Sequence, residues 1–322
     1  MADRSRRLLV AGLAALAAAC ASGPGRIDVD DLSEEQLLEE SRERFAAGDL
    51  DRAEETAAAL LERTRDPARK QEALFLAGEV HFALGEWAKA FRHYQTLLHD
   101  HPFSKFVPRC EEHVYAIGVE YLSRSPWPLF GDLFSGRERG AEVMREFAGA
   151  FPSSSRADDA LAALAGYRYS RKEYAEAAGF YAQLVRSHRD SEWADLAAYR
   201  RAECWKLEAR GAAYDVTPLL HAARNYRRYL SERPHGGHRE RARVEALEVD
   251  ELLAESELLK AELYVARGQE RGARIHFANV ALAYPATAAA ERARRELERR
   301  SWDLSINSVD LLTLAPSAER DE

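Results

Sequence analysis

The 322-residue chain is poor in sulfur, with three cysteines and two methionines. Three cysteines cannot form the dense disulfide frame of a small secreted scaffold, and no paired-cysteine metal motif occurs among them. A surplus of positive charge is also missing. Lysine and arginine total 46 against 54 acidic residues, for a formal net charge of −8. That balance argues against a nucleic-acid partner, which needs a basic footprint. Beyond the N-terminal region no long apolar run occurs, so no further segment is expected to cross a membrane. Runs of alternating β-branched residues are absent, which argues against strands. There is no phosphate-cradling glycine loop, no Gly-x-Ser-x-Gly elbow and no His-Glu-x-x-His pair. The chain therefore reads as a non-enzyme with no catalytic residues and no cofactor. His93, His99 and His101 are close in sequence, as are His235 and His238. They fit helix ends and surface turns better than convergent ligands, so no metal is expected.

What is present starts at the N-terminus. Arg4, Arg6 and Arg7 precede twelve uncharged residues, Leu8 to Ala19, and then Cys20. The run is too short to span a bilayer but fits the apolar core of a secretory signal. Small residues before the cysteine resemble a bacterial lipobox, in which Cys20 is lipidated and becomes the mature N-terminus. Ala17 stands where leucine is usual, and Ala17-Ala18-Ala19 also fits ordinary small-x-small cleavage, which would release a free protein. The lipobox reading makes residues 1–19 a signal peptide and residues 20–32 a tether. Acyl chains on Cys20, palmitate among them, would hold the protein to a membrane; two or more anchor stably. With Ala21 rather than aspartate after the cysteine, the resemblance to bacterial lipoproteins implies outer-membrane sorting, on the periplasmic face.

From Leu32 onward the pattern is helical. Ala, Leu, Glu and Arg dominate, and apolar residues recur at three and four. The breaks repeat. Ala77-Gly78, Gly85, Trp87, Ala90, Tyr94, Leu97 and Pro102 form a tetratricopeptide frame. Its small residues sit where two helices cross closely, its large ones fill space toward the next repeat, and proline closes the second helix. The frame recurs at Gly48, Ala53, Leu60 and Pro67. It returns at Ile117-Gly118, Tyr121, Gly140, Met144, Phe147 and Pro152, and again at Tyr174, Ala177, Tyr181 and Leu184. Ala202, Trp205, Ala222, Tyr226, Tyr229 and Pro234 give a fifth copy. Gly268, Ala273, Phe277, Val280 and Pro285 give a sixth, fed by a long helix from about Arg239. The fold class is all-α, a helical-hairpin solenoid of about six degenerate repeats, with a capping helix at 287–302 and a tail at 303–322. In such an array repeats contact mainly their neighbours. Cys110 and Cys204, two repeats apart, are therefore expected to be unbridged buried residues.

From Phe151 to about Glu298 the succession is more specific. Tyr214-Asp215-Val216-Thr217-Pro218-Leu219 opens a helix that ends at Tyr229-Leu230-Ser231-Glu232-Arg233-Pro234. A long helix with Leu247, Leu252-Leu253, Glu257 and Leu258 follows, then a turn at Arg267-Gly268, then Ala283-Tyr284-Pro285-Ala286-Thr287. This resembles the BamD-like family of outer-membrane assembly lipoproteins. The resemblance implies a scaffold of the β-barrel assembly machinery. Its partners would be the POTRA region of a BamA-like barrel protein, other assembly lipoproteins and unfolded outer-membrane proteins. It divides the repeats into an N-terminal array (33–213) and a C-terminal module (214–302) that binds the main partner. Residues 33–150 then look like added or diverged repeats. The alternative is another periplasmic tetratricopeptide adaptor, of the Tol-associated coordinator type. Those usually carry a coiled coil and no lipobox.

Three surfaces are candidates for binding. Phe75, Phe82, Tyr115, Tyr169 and Tyr199 fall on the inner face of first helices and suggest an aromatic groove for an extended peptide. Some of them alternatively pack against the neighbouring helix. Trp127 and Phe130, in the proline-rich insertion 126–134, either cover the third repeat or contact a partner or lipid. Arg267 and Gly268 are expected at an exposed tip, with Arg267 as a forked donor to a partner carboxylate. The arginine-rich stretch from Arg224 to Arg243 reads mainly as a solvated helix face.

Overall fold

The computed structural model describes residues 28–124 and 136–304. The expected signal peptide with Cys20, most of the expected tether, Trp127, Phe130 and residues 305–322 lie outside the described residues. Thirteen α-helices and one 3-10 turn, Val29–Asp31, make up the described secondary structure. They fall into two compact units, Met1–Val107 and Pro108–Glu322.

The first unit holds α1 (Glu34–Ala47), α2 (Leu50–Arg63), α3 (Pro67–Ala83) and α4 (Trp87–Asp100). Ser33 and Gln36 form a reciprocal cap at the start of α1, which satisfies two otherwise orphaned N–H groups. Gly48 ends α1 at φ +80°, where a side chain would be strained, and Asp49 then caps α2. Pro67 departs from the sequence reading. Instead of closing α2, which already ends at Arg63, it is the first residue of α3, capped by Asp66. Proline is tolerated there because the first helical N–H has no intrahelical acceptor to lose. The crossing of α3 and α4 is tight. A Cβ on Gly78 would stand 2.4 Å from the Tyr94 ring. Ala90, Tyr94 and Leu97 are fully buried.

The second unit holds α5 (Val107–Ser123), α6 (Arg137–Ala150), α7 (Ala157–Ser170), α8 (Tyr174–Ser187) and α9 (Ala194–Glu208). It continues with α10 (Thr217–Glu232), α11 (Arg239–Ala266), α12 (Glu270–Ala283) and α13 (Ala288–Arg299). Glycine again marks the close crossings. A Cβ on Gly118 would meet the Met144 side chain at 2.9 Å, and one on Gly140 would meet Tyr121 Cβ at 2.8 Å. Consecutive helices from α6 to α13 pack side by side. Ala177, Ala202, Ala222 and Ala273 are fully buried where the frame puts its small residue. Pro102, Pro152, Pro234 and Pro285 each follow the residue that caps a helix C-terminus. The cap α13 is docked by Glu251 of α11, whose carboxylate accepts from the N–H groups of Ala288 and Ala289 at 2.7 and 2.9 Å. A carboxylate there meets both the orphan donors and the positive end of the helix dipole. No helix among the described residues is long and apolar enough to cross a membrane. Cys110 and Cys204 are buried free thiols.

Candidate interaction surfaces

The five aromatic candidates have different surroundings. Phe75 and Phe82 belong to the first unit, and Tyr115, Tyr169 and Tyr199 to the second. Phe75 is partly buried and stacks on Phe106, centroids 4.4 Å apart at 12°. The Lys105 ammonium lies 4.9 Å from the Phe106 ring, so this pair is an aromatic face with a cation beside it. Phe82, near the C-terminal end of α3, is also partly buried. Tyr115 tilts against Phe147 and carries the Arg156 guanidinium 5.4 Å from its ring. Tyr169 meets the edge of Tyr174, lies under Arg200 at 4.5 Å and donates its hydroxyl to Glu203 at 3.1 Å. Burial, then the negative charge of Glu203, pushes the Tyr169 phenol up to about 12.

Tyr199 is a correction. It is 1% exposed and lines no open groove. Its hydroxyl lies between two buried carboxylates, 2.9 Å from Glu245 Oε2 and 3.1 Å from Glu203 Oε1. Tyr226 donates to the same Glu245 oxygen at 2.7 Å. Arg241 reaches both acids, Nε to Glu245 at 3.0 Å and Nη2 to Glu203 at 2.9 Å. Arg200 pairs with Glu203 as well. Burial raises the affinity of Glu245 for a proton. Bonds from Tyr226, Tyr199 and Arg241 outweigh it and hold the carboxyl below its ordinary range. The cluster joins α9, α10 and α11 through a satisfied polar network, a structural role and not a contact surface.

Arg267 and Gly268 lie where the sequence reading expects an exposed turn. Arg267 caps the 28-residue α11, its N–H donating to Leu263 at 3.1 Å, and both residues are exposed. Gly268 has φ +66°. The Arg267 side chain has no ion pair among the described residues, so its fork is open to solvent.

The sequence reading missed one cluster. Glu54, His81 and Glu86 bring ligand-type atoms within 4.8 Å of one another. His81 Nδ1 lies 2.8 Å from Glu86 and 3.8 Å from Glu54. The Lys89 ammonium bridges the same two carboxylates at 2.9 and 3.4 Å. A cation is thus already supplied by the chain, and the group is explained as an ion-pair network linking α2, α3 and α4. His93 stacks on His81, centroids 5.2 Å apart. Only the His81–Glu86 spacing across the α3–α4 turn was visible in the sequence; the approach of Glu54 depends on helix packing.

Most of the arginine-rich stretch is paired. Arg227 meets Asp250 at 2.7 Å, Arg228 meets Glu232 at 2.9 Å and Arg243 meets Glu240 at 3.7 Å. Arg239 donates to the Leu230 carbonyl at 2.6 Å.

No curated protein matches the chain. Among solved structures, a tetratricopeptide repeat protein from Parabacteroides merdae is 16% identical, with a TM-score of 0.33, covering 82% of this chain and 97% of its own. The C-terminal part of a repeat protein from Cytophaga hutchinsonii is 13% identical, with a TM-score of 0.30, covering 81% and 87%. Pseudomonas aeruginosa pilF is 14% identical, with a TM-score of 0.25, covering 82% and 97%. A tetratricopeptide repeat model matches residues 72–104. The model of the family described as outer membrane lipoprotein, YfiO, matches residues 138–308, just over half of the chain. The chain belongs to this YfiO family of outer membrane lipoproteins, the BamD-like family, and carries it on tetratricopeptide helical hairpins.

Proposed function

We propose that this protein is a non-catalytic, lipid-anchored scaffold of β-barrel assembly on the periplasmic face of the outer membrane. Cys20 carries the lipid, and the helical hairpins stand in the periplasm. The module 214–302 binds the POTRA region of a BamA-like barrel protein, and the earlier repeats receive unfolded outer-membrane proteins. Family membership over residues 138–308 is the observation that supports this reading most. The exposed, unpaired Arg267 at the end of the longest helix supports a partner contact at that tip. Helical hairpins suit a binding role, since stacked repeats offer extended surface.

Two measurements test the proposal. Crosslinking of the full chain in its native envelope, followed by purification, is expected to recover a BamA-like barrel protein. Recovery of Tol-associated partners instead would favour the periplasmic coordinator reading. Mass spectrometry of the mature N-terminus is expected to show a diacylglyceryl and acyl group on Cys20. An unmodified N-terminus would remove the anchor.

A further inference from the structure

A cleft of about 590 Å³ opens among α8, α9 and α10. Five arginines line it, Arg186, Arg189, Arg201, Arg228 and Arg233, against one acid, Glu232. A local surplus of four positive charges is unexpected in a chain whose net charge is −8. Glu232 is already counted in that surplus, and among the described residues only Asp195, from outside the lining, offsets it further. Arg228 pairs with Glu232 at 2.9 Å, and Arg233 stands 3.9 Å from Asp195. Arg186, Arg189 and Arg201 have no carboxylate partner among the described residues.

Arg201 is the most costly of them. It is partly buried, and burial followed by the like charges of Arg228 and Arg186 lowers its hold on its proton. Glu232 opposes this only in part. Crowding like charges around too few counter-ions destabilises a fold, and such a cost persists where a function uses it. Arg168 shows the contrast, a partly buried arginine that meets Glu138 at 2.6 Å and Glu173 at 2.7 Å.

We infer that this cleft is a binding site for a phosphate-bearing anion with at least two phosphoryl charges. Guanidinium forks match phosphate oxygens two at a time, and several converging forks need a multiply charged ligand. A single carboxylate would leave most of the surplus unneutralised. An acidic protein segment fits less well. Peptide anchors bury an aromatic or aliphatic side chain in an apolar pocket, and the apolar lining here is only Ala182 and Val185. The phosphoryl groups belong either to a soluble molecule or to an anionic lipid headgroup.

Calorimetry with the full chain and pyrophosphate tests the site, beside flotation with phosphatidylglycerol and phosphatidylcholine vesicles and titration with an acidic hexapeptide. For protein without its lipid anchor, pyrophosphate is expected to bind, and Arg201→Gln and Arg186→Gln are each expected to weaken binding at least tenfold. Flotation with phosphatidylglycerol that also depends on Arg201 would identify the lipid headgroup as the source. Binding of pyrophosphate without flotation would identify a soluble ligand. A melt separates binding from folding: Arg201→Gln should melt at the wild-type temperature or above, because it removes repulsion. A lower melt with unchanged pyrophosphate binding would overturn the inference, as would failure of both pyrophosphate and the anionic vesicles. Tighter Arg201-dependent binding of the acidic peptide would overturn it in favour of a protein segment.

Discussion

The Tyr199 hydroxyl stands 2.9 Å from Glu245 Oε2, joining a residue of α9 to one 46 positions later in α11. Both side chains are buried, so neither can exchange its partner for water. Tyr199→Phe keeps the ring and removes the donor. It is expected to cost about 1–3 kcal/mol in chemical unfolding, the usual penalty for stranding a buried polar group. Glu245 also carries a pH signature. Its folded value lies below 4.5, its ordinary value, so the stability it contributes is present above pH 4.5 and is lost as pH falls through the folded value. Acid unfolding of Glu245→Gln should therefore show a shallower pH dependence below 4.5 than the wild type. Equal slopes would mean that the carboxylate is not held by this network.

His93 gives a second pH dependence. Burial, then the nearby charges of His81, Arg92 and Lys89, lowers it to about 4 from an ordinary 6.5. Between those values the unfolded chain takes up a proton that the folded chain refuses. Stability therefore falls as pH drops from 6.5 toward 4, and the penalty is complete below the folded value. His93→Phe keeps a ring against His81 and cannot titrate. Its melting temperature should decline less than that of the wild type over this window. Parallel decline would place the sensitivity elsewhere.

The repeat frame makes its own prediction. Ala90 and Ala177 are fully buried at the small positions of their hairpins. Leucine at either is expected to cost about 1–3 kcal/mol through overpacking. Gly78→Ala belongs with them, since its Cβ would stand 2.4 Å from the Tyr94 ring and the ring must shift. Unchanged thermal unfolding in all three variants would be incompatible with these crossings.

These positions also show how far the sequence could be read. Ala90, Ala177, Ala222 and Ala273 recur in one frame because two helices can approach only over small side chains, and all four are buried. The long α11 from Arg239 and the cap after Thr287 follow from helical periodicity and a capping hydroxyl. The YfiO match, residues 138–308, contains the Phe151–Glu298 stretch that carried the resemblance. Tyr199 was misread because its burial depends on α10 and α11 folding over it, and a period of 3.6 residues does not state which neighbour covers which face. The cluster of Glu54, His81 and Glu86 and the arginine cleft were hidden for the same reason. Each joins residues from separate helices and their ends, and no spacing along one helix reports that meeting.

The cysteines test burial directly. Cys204 is fully buried, and burial, then the charge of Glu203, pushes its thiol up to about 12. The thiolate is the reactive form, so native protein should resist alkylation at Cys204 near neutral pH. Denaturant should release rapid labelling of both Cys110 and Cys204 without a reductant. Labelling that requires a reductant would reveal a bridge and contradict the two free thiols.

The tip of α11 bears most directly on the proposed partner. Arg267 is exposed, and its backbone N–H, not its side chain, completes the helix end. Arg267→Glu should therefore leave helicity unchanged. Its melt should fall only slightly, because an acid at a helix C-terminus costs about 0.3–1 kcal/mol through the dipole. Binding to a BamA-like periplasmic region should weaken, since a partner carboxylate would meet repulsion where it had a forked donor. Gly268 separates the two effects. At φ +66° an alanine is strained, so Gly268→Ala should lower stability by about 1–2 kcal/mol whatever the partner does. A pull-down beside a circular-dichroism melt reads both variants. Normal binding by Arg267→Glu would remove that side chain from the interface, and failure of the wild type to bind would count against the BamA-like partner itself.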